Sequence, residues 1–126
     1  MYMPKRMICC LTKDGQFVGN LFVGQIVTVG KTLQFHNLMV KIADVERTFP
    51  GTTTGQNSYF SLAGTRYVEA FEVLLADDDI HWLCTASDPL RLHFDGETMW
   101  AETLLHAEEI KALQTYASTY LPAKSK

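Results

Sequence analysis

The sequence predicts an α+β domain that is mostly β, an antiparallel sheet or open β-barrel of about seven strands closed by one C-terminal amphipathic helix. Three observations predict it. Runs rich in β-branched and aromatic residues fill most of the first hundred or so positions. Asp14-Gly15 and Asp95-Gly96 each sit between apolar runs, the strongest short-range signal for a hairpin. Spacing of three and four occurs over a long stretch only near the end, at Ile110, Leu113, Ala117 and Tyr120. A chain of 126 residues suits one domain, expected over 1–126, with strands over about 6–105, the helix over about 107–120 and a frayed tail at 122–126.

Arg6 to Thr12 and Gln16 to Val23 form the first hairpin. A two-residue turn at Asp14-Gly15 places Leu11 opposite Val18, Cys10 opposite Gly19, Cys9 opposite Asn20 and Ile8 opposite Leu21. Gln25 to Val29, Thr32 to His36 and Met39 to Phe49 read as two or three more strands. The broken alternation of Val40, Ile42 and Val45 marks a bulge or turn near Ala43-Asp44. Pro50 to Ser58 (PGTTTGQNS) has the turn formers and small polar residues of a surface loop. Tyr59 to Leu62 reads as a short strand and Arg66 to Ala76, apolar on both faces, as a longer strand, with a helix as the alternative. Asp77-Asp78-Asp79 turns the chain, and Ile80 to Ala86 runs back as a strand. Leu90 to Phe94 and Glu97 to Leu105 flank Asp95-Gly96, where a glycine tolerant of positive φ suits a two-residue turn. Glu108 and Glu109 in the first turn and Pro122 past the end bracket the helix.

Eleven Lys and Arg against fourteen Asp and Glu give a net charge of −3, the wrong sign for a protein held to phosphates by a basic surface, so nucleic acid is an unlikely partner. No stretch approaches the ~18 apolar residues of a membrane span, and the first ten residues have no apolar core of signal-peptide length. A soluble, cytoplasmic protein with no membrane association is expected. Three cysteines, Cys9, Cys10 and Cys84, fit buried free thiols in a reducing compartment.

The stretch MICCLTKDGQFVGNLFV (Met7 to Val23) resembles the first hairpin of Sm-like RNA-binding barrels, where an apolar run meets a Lys-Asp-Gly turn. The order of strands followed by one C-terminal helix resembles the pleckstrin-homology and GRAM group, and LQFHNLMVKIADVERTF (Leu33 to Phe49) resembles its middle strands. The second resemblance implies a barrel plugged by its helix. No functional residue is carried over from either family.

Asp77, Asp78, Asp79 and His81 are the densest cluster of hard ligands, but they lack the alternate acids, glycine and distal glutamate of an EF-hand loop. They read as a solvated acidic turn, and neither metal nor cofactor is expected. The sequence holds no GxSxG, HExxH or GxGxxG pattern. The last hairpin is more informative. A turn at Asp95-Gly96 pairs Phe94 with Glu97, His93 with Thr98, Leu92 with Met99 and Arg91 with Trp100. Leu90, Leu92, Phe94, Met99 and Ala101 then face the core, and Arg91 stacks on Trp100 with His93 and Glu102 beside it, a surface suited to a planar or anionic group. Packing of Trp100 beneath the C-terminal helix is the competing expectation.

The candidate ligand-binding residues are therefore Arg91, His93, Trp100, Glu102 and His81. The sequence points to a non-enzymatic binding or interaction module that forms a homodimer, because Met7 to Phe22 and Tyr67 to Leu75 carry more apolar residues than one sheet face can hide. Its partner is a protein or a small molecule. The rival is a small-ligand pocket protein or small enzyme using His81, His93 and nearby acids.

Overall fold

The structure, a computed structural model, describes the backbone of residues 6–14, 16–62 and 64–121 and, Asp14 apart, side chains from residue 19 onward. The chain runs β1 (Arg6–Lys13), β2 (Gln16–Val29), β3 (Phe35–Ile42), β4 (Val45–Ser61), β5 (Gly64–Leu75), α1 (Asp77–Leu83), β6 (Leu90–Gly96), β7 (Trp100–Leu105) and α2 (Ala107–Tyr120). The sheet is antiparallel throughout, ordered β1-β2-β5-β4-β3-β6-β7, and it curls into a half-barrel. That order is no simple meander: β3, β4 and β5 follow one another at the centre, and β2 and β6 add to their two sides. α2 touches both outermost strands, β1 and β7, and so lies across the open side of the curl.

The apolar face that the strands turn inward explains why these segments pair. Phe22, Phe35, Phe71 and Phe94 come from four strands and meet edge-on or tilted, with ring centroids 5.2 to 5.5 Å apart. Ile80 and Leu83 from α1, and Ile110, Leu113 and Ala117 from α2, join the same core. Two polar side chains are fully enclosed with them. Asn20 donates to the Leu75 carbonyl (3.1 Å) and to Asp77 Oδ1 (3.0 Å), and it accepts from the Tyr116 hydroxyl (2.8 Å). Glu69 Oε1 accepts from the Gln34 backbone N–H (2.7 Å) and from Gln56 Nε2 (3.2 Å).

Several expectations are corrected. Ile80 to Ala86 is not a strand, for Asp77–Leu83 is helix α1. Three acids in its first turn favour the positive end of the helix, and the Asp79 carboxylate accepts from the Ala76 backbone N–H (3.3 Å). Pro50 to Ser58 is no loop, since β4 runs unbroken from Val45 to Ser61. Its outer half is held by backbone pairing to β5, from Gly51 opposite Val73 to Ser61 opposite Gly64, with a bulge between Thr53 and Gly55. Pro50, lacking an N–H, stands where the ladder to β3 stops. Gln25 to Val29 is not a separate run but the end of β2.

Both hairpin registers move. In the first, a bulge between Leu11 and Thr12 shifts the pairing by one, so Leu11 faces Gly19, Cys10 faces Asn20 and Ile8 faces Phe22. In the last, the connection is longer than two residues, and Asp95 faces Trp100, His93 faces Glu102 and Arg91 faces Leu104. Positive φ falls on Gly30 and Gly64 among the described glycines, not on Gly96. The turn expected near Ala43-Asp44 is present, with Ala43 at φ 55°.

Candidate functional site

Because the last hairpin slips by four residues, an even number, each side chain keeps its face while changing its partner. Leu90, Leu92, Phe94 and Ala101 are buried inward, and Arg91, His93, Trp100 and Glu102 share the outer face. His93 Nδ1 lies 3.0 Å from Glu102 Oε2, and Arg91 Nε lies 3.7 Å from the other oxygen of that carboxylate. The indole of Trp100 stacks on the imidazole, with centroids 5.2 Å apart and planes 24° from parallel. Arg91 therefore does not lie across from Trp100 as expected. Nor does α2 cover the indole, for Trp100 is 60% exposed.

The same face is extended by β3, whose Met39 pairs with His93. Met39, Lys41, Glu46, Arg91, His93, Glu102 and Leu104 contribute to a groove of about 480 Å³. A carboxylate on Nδ1 fixes the imidazole orientation and leaves Nε2 as the ring nitrogen outside that contact. No serine, threonine or cysteine lines the groove among the described residues.

His81 stands apart from this group. It is exposed on α1 and is not among the groove's lining residues. Its neighbours on α1 hold the fold together: Asp79 pairs with Arg47 Nη1 at 2.8 Å, Arg47 lies 4.5 Å from the centroid of the Trp82 ring, and Asp77 receives Asn20. Two of the three consecutive aspartates are thus occupied by protein groups. Among the described residues no set of three or more His, Cys, Asp or Glu is placed to hold a metal ion. Cys84 is a free thiol whose pKa is raised by burial, which makes it a poor nucleophile. Cys9 and Cys10 lie outside the residues whose side chains are described.

A second concavity lies between α2 and the inner face of the sheet. It is an open-sided cleft of about 530 Å³ lined by Phe22, Leu38, Val40, Leu75, Leu92 and Leu105 from the strands, Leu83 from α1 and Leu113 from α2. Glu109, Thr115, Tyr116, Thr119 and Tyr120 of α2 supply the polar atoms of its wall. Tyr116 connects it to the enclosed amide of Asn20. Comparison with protein-family models, with curated proteins and with solved structures finds no match to this chain. Both candidate sites therefore rest on geometry. The groove residues share a strand face, which alternation reveals; the cavity is built from five strands and both helices, and no local pattern marks it.

Proposed function

We propose that the domain is a non-enzymatic binding module that holds a small, largely apolar molecule in the cavity beneath α2. The observation that carries this reading is an apolar-walled space of about 530 Å³ in a domain of this size. Ligand sites are clefts of ~300–1,000 Å³ that combine apolar walls with a few polar groups. The Thr115 and Tyr120 hydroxyls of α2 orient the polar end of such a ligand, and the leucines and Phe22 take its apolar body. Self-association belongs to the same proposal, supported by Leu74, which is 57% exposed on the outward face of β5. So does a cytoplasmic setting, supported by the odd number of cysteines. No described helix is long and apolar enough to cross a membrane.

Titration with the fluorescent apolar probe N-phenyl-1-naphthylamine tests the reading. Saturable enhancement is expected, and Ala112→Trp, which sets an indole on an exposed lining position, should abolish it without lowering the melting temperature. No enhancement, or enhancement indifferent to Ala112→Trp, would overturn it. The His93–Glu102 contact favours a second reading, in which the outer groove takes a planar or anionic ligand or performs proton transfer. Loss of probe binding in His93→Ala alone would move the site there.

A further inference from the structure

We propose that the end of the domain formed by the β4–β5 turn and the β2–β3 connection docks on an anionic lipid surface. Two apolar side chains at the turn and the end of β4 have no cover among the described residues, for Leu62 is 108% and Phe60 84% exposed. Tyr59 and Val29 are each half exposed, and both pair with Arg66, so aromatic, cation and aliphatic stand in one row across three strands. Lys31 is exposed just past Val29, where Gly30 N–H bonds the Thr65 carbonyl and ties the two connections together.

Among the described residues, Lys31 and Arg66 stand at this tip against one exposed acid, Glu97. No Asp or Glu occurs between Asp14 and Asp44 or between Glu46 and Glu69, the stretches that hold the β2–β3 connection and the β4–β5 turn. Glu69 is fully buried, and Glu97 is exposed on the β6–β7 connection, where its backbone N–H bonds the Leu33 and Gln34 carbonyls of the β2–β3 connection. The chain-wide charge of −3, which argues against membrane association, averages over this end.

The shape favours lipid over a protein partner. Phe60, at the end of β4, and Leu62, just past it, are exposed and line neither the cleft under α2 nor the outer groove. Apolar side chains that enter the acyl boundary, a tyrosine at headgroup level and cations for the phosphates make up the composition of an interfacial anchor.

Co-sedimentation of the full chain with vesicles of phosphatidylcholine mixed with phosphatidylserine, against phosphatidylcholine alone, tests it. Binding to the mixed vesicles that falls with added salt is expected. Phe60→Ser combined with Leu62→Ser should reduce it roughly tenfold or more with an unchanged melting temperature, since both side chains are already in solvent. Lys31→Gln should weaken it roughly fivefold. Absence of binding to the mixed vesicles at low salt, or binding that survives the serine pair, would overturn the proposal. A serine pair that instead turns a dimer into a monomer, with no vesicle binding by the parent chain, would make the tip a contact for a second copy and also overturn it.

Discussion

A methyl group added at Gly96 would run into the carbonyl oxygen of Leu33, a backbone atom fixed by the hydrogen bond it accepts from Glu97 N–H. At Gly51 the obstacle is the ring of Phe35, which turns aside at some cost to the aromatic cluster. Gly96→Ala is therefore expected to lower stability by ~3 kcal/mol or more, and Gly51→Ala by ~1–3 kcal/mol, the usual range for overpacking. Thermal unfolding of the two variants checks the order, and equal melting temperatures would contradict the close approach at Gly96. The sequence marks Gly96 as special through its Asp-Gly pairing, but for a reason the structure replaces. The glycine is needed because the β6–β7 connection crosses the segment before β3, a meeting that no local window contains. Trp100 teaches a similar lesson: its place on the outer face follows from alternation, whereas its neighbour follows from a register that the turn length decides.

At the scale of elements, α2 is the part most dependent on its partners. It buries Ile110, Leu113 and Ala117 in the common core and has no basic residue in its last turn to favour its C-terminal end. Truncation after Leu105 should strip the cover from the curled sheet, and the shortened chain is expected to lose cooperative unfolding in a thermal scan and to precipitate. A soluble, cooperatively melting truncation would make the helix an appendage. This helix was legible because fourteen residues hold enough periods to separate a 3.6 repeat from alternation. α1, with seven, is too short for that, and Ile80-His81-Trp82-Leu83 reads equally well as a strand. Its acidic first turn was the available signal, since consecutive aspartates suit a helix start as well as a loop. The outer half of β4 was illegible for the opposite reason: Thr52 and Thr54 to Phe60 are exposed, so backbone pairing to β5 organises it and side-chain burial leaves no pattern.

For the whole molecule, the outward face of β2 and β5 is the surface on which the proposed dimer rests. Light scattering at micromolar concentration should give twice 14.2 kDa, and Leu74→Arg should return the mass to that of one chain without unfolding it, because Leu74 stands outside the core. A single-chain mass for the parent protein would remove the dimer. The nested strand order has a further consequence, for the chain as it is made. The four hairpin pairings, β1–β2, β3–β4, β4–β5 and β6–β7, close as soon as their residues exist, but β2 must wait for β5 and β3 for β6. Val29 pairs with Arg66, so a ribosome adding ~5–20 residues per second leaves the free edge of β2 uncovered for roughly two to seven seconds. During that interval the nascent hairpin can recruit the same edge of a neighbouring chain on a polysome. Slow codons placed between Val29 and Arg66 would lengthen the exposure, and the fraction of insoluble product should rise with them.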